Sequence, residues 1–165
     1  MKAKLIIEGK EIEVEISEEE YKKLQPSETG YERVPESDIY FYANTKGDVE
    51  TACEDCYDID DEYYESANYY SDKTVAENNA RADKLMRQLR RFSVEHRKNE
   101  INWRDNTFKY CIRYDYETNK LGINSNSFFR TYGTPYFDLR TTAQAAIEEF
   151  HDELIWYFTE YQDSL

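Results

Sequence analysis

Twice along this chain the same order of patterns recurs: a turn flanked by strand-forming residues, then a long stretch with apolar residues at helical spacing. The first copy reads IYFYANTKGDVETA, a hairpin around residues 44–47, followed by a helix from Ser71, its expected N-cap, to about residue 98. The second reads FKYCIRYDYETNKLGIN, a hairpin around residues 117–120, followed by a helix over about 141–161. Between hairpin and helix, EYYES and FFRTY each read as a third strand. Aligning YYSDKTVAE with YFDLRTTAQ superposes Tyr69 on Tyr136, Tyr70 on Phe137, Thr74 on Thr141 and Ala76 on Ala143. The expected fold class is therefore α+β: antiparallel strands with two long helices, as two tandem β-β-β-α units plus an N-terminal hairpin. Helices of such units cover one face of antiparallel sheet.

That N-terminal hairpin is KLIIEGKEIEVEI, where Ile12, Val14 and Ile16 alternate with Glu11, Glu13 and Glu15 and Gly9 supplies a turn. Ser17 and Glu20 form a capping box for a short helix that Pro26 ends. The expected organisation is a hairpin and short helix over 1–25, a Pro- and Gly-containing linker over 26–37, and an α+β domain over 38–165. Its similar halves are 38–98 and 105–165. The helices bury Val75, Ala82, Leu85, Met86, Leu89 and Phe92 in the first half. In the second they bury Ala143, Ala146, Ile147, Phe150, Leu154, Tyr157 and Phe158.

Charge sets the functional expectation. Across 165 residues, 35 acids against 21 bases leave a formal charge of −14, yet 16% of residues are aromatic and 16 are Tyr. Bulk to bury is ample, and Tyr packs its ring while keeping a hydroxyl wet. The surplus concentrates in residues 47–72, which hold Asp48, Glu50, Glu54, Asp55, Asp58, Asp60, Asp61, Glu62, Glu65 and Asp72 and no Lys or Arg. The helix that follows has the opposite bias, with eight bases against three acids over residues 73–98. Pairing between the two would compensate only part of the acidic stretch. Such a charge disfavours direct binding to nucleic acid or an anionic membrane, and favours a basic protein that could itself bind nucleic acid.

Motifs for catalysis are missing from the sequence: no nucleophile elbow, phosphate loop, dinucleotide fingerprint or zinc-protease helix occurs. Five Gly leave little for a phosphate cradle, and His96 and His151 lie far apart. The expectation is a protein without enzymatic activity or cofactor. Cys53 and Cys56 have the gap of half a zinc site, but no second regular pair accompanies them, so three reduced thiols (with Cys111) are expected. Asp58, Asp60, Glu62 and Glu65 echo a calcium loop, with Tyr63 where that loop requires Gly. The N-terminus has no signal-peptide pattern and no run approaches membrane-span length. A cytoplasmic location is expected.

The opening MKAKLIIEGKEIEVEIS, the TGYERV segment, the YDIDDEYYE and NYYSDKTVAE blocks and the KYCIRYD strand resemble a family of small, acidic, Tyr-rich phage and prophage proteins of Firmicutes. The resemblance implies a viral origin and action in the cytoplasm of a bacterial host. By analogy with anti-CRISPR proteins, it implies an inhibitor that occupies a nucleic-acid-binding site of a defence nuclease together with its guide RNA. In such a reading Asp48, Glu50, Glu54, Asp55, Asp58, Asp60, Asp61, Glu62 and Glu65 would stand in for DNA phosphates, with Tyr63 and Tyr64 stacking on partner Arg. On a strand, Asp58, Asp60 and Glu62 would share one face at about 7 Å spacing. An acidic phage structural or housekeeping adaptor is the alternative. A protein sequestering a small nucleotide signal is a third, with Arg87, Arg90 and Arg91 its obvious site.

Overall fold

The computed structural model describes residues 29–161, Ser17 and, as backbone pairing, the strands β1 (Lys2–Ile7) and β2 (Lys10–Glu15). These strands pair antiparallel, so the alternating N-terminal sequence does form a hairpin. The capping box at Glu20, the turn at Gly9 and the helix ended by Pro26 fall outside the described residues.

The chain is α+β, as expected. Strands β3 (Ile39–Ala43) and β4 (Val49–Cys53) form one antiparallel hairpin, and β5 (Lys109–Asp115) and β6 (Lys120–Asn126) another. The first turn is held by Asn44, whose side-chain oxygen accepts from Lys46 N and Asp48 N, with Gly47 at φ 87°. The second uses Asn119 at φ 52°, a left-handed position that Asn tolerates. Helix α2 (Lys73–His96) runs 24 residues from an Asp72 N-cap that accepts from Val75 N. Ser71 is therefore not the cap; its hydroxyl donates to Glu32 instead.

Three further expectations fail, each for a physical reason. EYYES is not a strand, because residues 58–65 form a helix, α1 (Asp58–Glu65). FFRTY is not a strand either: Phe128, Phe129 and Tyr132 are exposed in a loop that turns at Gly133. In both halves the third pairing shrinks to one residue. Phe41 and Tyr70 exchange both backbone hydrogen bonds, and so do Tyr110 and Phe137. These bridging residues are the pair Tyr70 and Phe137 that the sequence alignment superposes. Third, the last helix is interrupted at Phe150, giving α3 (Arg140–Glu149), α4 (His151–Trp156) and a π-helical end, Tyr157–Tyr161.

The main core lies between α2, α3, α4 and the β5–β6 hairpin. Leu85, Leu89, Phe137, Ala143, Ala146, Ile147 and Leu154 are buried there, with Met86, Phe92, Phe150, Tyr157 and Phe158 packed around them. The helical stripes read from sequence are these faces. Among the described residues no helix is long and apolar enough to cross a membrane.

Candidate functional site

Residues 29–37 carry no helix or strand, yet they organise the acidic stretch. Arg33 binds Glu54 bidentately, with Nε and Nη2 both 2.9 Å from its carboxylate oxygens, and reaches Asp61 with Nη1 at 2.6 Å. Tyr69 donates its hydroxyl to the same Glu54 carboxylate at 2.8 Å, and Cys56 N donates at 3.1 Å. Glu54 is 1% exposed. The Arg33 guanidinium is the main reason its carboxyl titrates at about 2 instead of 4.5; the Tyr69 and Cys56 donors add to this and burial opposes it.

Asp60 plays a parallel part. Its Oδ1 accepts the hydroxyl of the fully buried Tyr40 at 2.8 Å, while Oδ2 accepts from Tyr57 N and Asp55 N. This carboxylate, by accepting from the backbone N–H of the N-cap residue Tyr57, starts α1 and ties it to β3. Around it a ladder of tyrosines closes: Tyr40 stacks on Tyr69 at 4.0 Å and Tyr42 on Tyr63 at 4.5 Å. A polar core of carboxylates and phenols thus does here what aliphatic packing does in the second half.

Two of the expected partner-facing acids are consequently not on offer. Glu54 and Asp60, at 1% and 2% exposure, are turned inward and fully engaged. The expected role of the tyrosines changes as well. Tyr63 is half-buried against Tyr42, and Tyr64 sits edge-on to Tyr69 with this chain's own Arg33 over its ring at 5.6 Å. Tyr63 thus helps to hold α1, while Tyr64 is still 43% exposed.

What remains outside is ordered by the helix. At 100° per residue, Asp60, Tyr63 and Tyr64 share the inward face, and Asp58, Asp61, Glu62 and Glu65 share the outward one. All four of the latter are exposed. Asp58, Asp60 and Glu62, which a strand would group, are split by the helical period. A helix also cannot wrap Asp58, Asp60, Glu62 and Glu65 around a calcium ion as a loop would. Asp48 and Asp55 are exposed elsewhere, and Glu50 is engaged by Tyr42 and Asn44 on the surface of the hairpin.

Compensation by the basic helix does not occur. Among the described residues no ion pair joins the acids of residues 48–65 to α2; Arg33 alone reaches them, binding Glu54 and Asp61. The bases of α2 that find carboxylates find others, Lys73 with Glu77, Arg81 with Glu153 and Arg91 with Glu95. Cys53 and Cys56 are exposed, Cys111 is buried, and all three are free thiols. Among the described residues no group of three or more His, Cys, Asp or Glu is arranged to hold a metal ion.

The Arg33–Glu54 pair makes acid stability testable. A folded-state pKa below the unfolded one gives stabilisation that is present above 4.5 and is lost as the pH falls towards 2. Unfolding followed by circular dichroism should therefore show an acid limb across that interval. Glu54→Gln should remove part of its pH dependence; an identical acid limb in that variant would refute the assignment.

Compared with protein-family models, with curated proteins and with solved structures, the chain matches none.

Proposed function

We propose that this protein is a non-enzymatic, phage-encoded inhibitor that places its acidic helix α1 in a basic, nucleic-acid-binding cleft of a host defence protein, most plainly a CRISPR effector nuclease. It acts there as a partial DNA mimic, in the cytoplasm of the bacterial host. One observation supports this above the others. Four exposed carboxylates, Asp58, Asp61 (which also meets Arg33), Glu62 and Glu65, lie on one face of a helix that is fixed to the body by Asp60 and Tyr63. The seven steps from Asp58 to Glu65 cover about 10.5 Å at 1.5 Å rise per residue, an average of about one charge per 3.5 Å. A DNA strand carries one phosphate per about 3.4 Å of axis. An extended strand, with same-face residues about 7 Å apart, would not reach that density.

The rigidity matters as much as the density. Carboxylates held before encounter lose little freedom on binding, and charge complementarity acts chiefly on the association rate. An effector that reads a short duplex signal does so with Arg and Lys in a positive cleft. The test is competition. Pre-incubation of purified effector–guide complex with this protein should prevent target DNA from binding, and excess target DNA should displace the protein. Simultaneous binding of both, seen as a ternary complex, would refute mimicry while leaving an inhibitor of another kind open.

A further inference from the structure

The basic surface of α2 is the counterpart that the acidic helix leaves unexplained. Lys84, Arg87 and Arg91 recur at i, i+3 and i+7 on the face opposite the buried Leu85 and Leu89. With Lys46 from the β3–β4 turn, and with Thr45 and Gln88, they line a cleft of about 340 Å³. Two elements distant in sequence thus bring four cations to one place. The turn that presents Lys46 is internally bonded, with Gly47 N donating to Asn44 O and Asn44 N to Asp48 O. The Arg87 guanidinium rests against that turn: a Cβ on Gly47 would lie 3.1 Å from Arg87 Nη2.

None of these cations is held in a close ion pair among the described residues. Lys46, Lys84 and Arg87 have no carboxylate oxygen within ion-pair distance among the described residues, and Arg91 meets Glu95 only at 3.9 Å. Acids lie within electrostatic reach without closing on these cations: after the Asn44 side chain, Lys46 contributes to lowering the Glu50 carboxyl's pKa, and after Arg81, Lys84 contributes to lowering that of Glu153.

We infer that this cleft binds the phosphodiester backbone of a single nucleic-acid strand, without reading its bases. The donors decide the ligand. The N–H groups of Lys46, Gly47 and Asp48 are consumed within the turn, so no backbone nest is left to cradle one phosphate. What remains are side-chain cations spread from residue 84 to residue 91. That is about 10.5 Å along the helix, a row of charges rather than a single point. No aromatic ring lines the cleft, so nothing there stacks on a base. Repulsion by the distant acids is screened beyond about 8 Å at physiological ionic strength, while contacts inside the cleft persist. This site stands apart from the anti-defence reading, because it uses other residues and its test needs no effector.

The test is fluorescence anisotropy with a labelled oligouridylate, comparing two triple variants of equal charge. Lys84→Gln/Arg87→Gln/Arg91→Gln empties the cleft; Arg97→Gln/Lys98→Gln/Arg104→Gln removes three exposed bases elsewhere. The cleft variant should bind at least tenfold more weakly than the control. It should also flatten the dependence of log K on log salt by about 2, given about 0.7 per lost phosphate contact on a single strand. Both variants should melt with the parent, because all six positions are exposed. No saturable binding by the parent protein, or equal losses in the two variants, would overturn the assignment. Displacement of the oligonucleotide by micromolar pyrophosphate would overturn the strand in favour of a small phosphorylated ligand.

Discussion

Phe137→Ala is expected to lower stability by about 3–5 kcal/mol, the cost of truncating a fully buried aromatic residue. Phe137 is 0% exposed and belongs to the cluster that joins α2, α3, α4 and the second hairpin. Its backbone exchanges two hydrogen bonds with Tyr110, and alanine keeps both, so the loss isolates the side chain. A domain of this size has about 5–15 kcal/mol in total, so the variant would stand close to unfolding at room temperature. Urea titration should show a lower midpoint with an unchanged slope. Phe129→Ala, in the exposed loop at 75% exposure, should stay within about 0.5 kcal/mol of the parent. A loss below about 1 kcal/mol for Phe137→Ala would mean that this cluster is not the centre of the core.

The contrast between these two phenylalanines shows where sequence reading succeeds and stops. Hairpins were legible because their turns use residues that tolerate left-handed backbone, Gly47 and Asn119, between strand-forming runs. The long helix was legible because Ala82, Leu85 and Leu89 fall at its period and are buried. The aromatic run Phe128, Phe129 and Tyr132 has the composition of a strand, but Gly133 at φ 75° turns the chain away. The pairing residue is Phe137, beyond that turn. Nothing in residues 147–153 announces a break: there is no Pro or Gly, and the altered residue, Phe150, packs edge-on against Phe92. Tertiary contact carries that information.

The acidic stretch was legible as charge and illegible as geometry. Apolar periodicity finds a helix by its buried face, and the buried face of α1 is made of Asp60 and tyrosines. A carboxylate turned inward has no apolar signature; only its donors, Tyr40 and two backbone N–H groups, identify it. Glu54 was hidden for the same reason. Its partner Arg33 lies in a segment whose Pro and Gly read as a linker, although Gly30, Glu32, Arg33 and Val34 all bind the body. One available clue was that Arg33, ahead of the acidic run, is followed by no Lys or Arg until Lys46.

Burial therefore separates two sets of acids that a sequence reading would mutate together, and it predicts opposite outcomes for them. Asp58→Asn/Asp61→Asn/Glu62→Gln/Glu65→Gln removes the outward stripe with little change of shape. Like charges three and four residues apart on a helix repel, so neutralising them should leave melting unchanged or raise it slightly. The loss of the exposed Asp61 contact to Arg33 offsets little of that gain. Association with the effector should slow at least tenfold at low salt, because steering by exposed charge is lost, and inhibition should fall with it. Asp60→Asn should do the reverse. Its amide brings N–H donors to a place where Tyr40 Oη, Tyr57 N and Asp55 N already donate, so about 1–3 kcal/mol of stability is lost. On the proposed mode of action, whatever Asp60→Asn remains folded should still inhibit, since that carboxylate is buried within the chain. A folded stripe variant that inhibits as well as the parent would remove α1 from the binding surface, and full loss of inhibition by well-folded Asp60→Asn would show that the inward face had been misassigned.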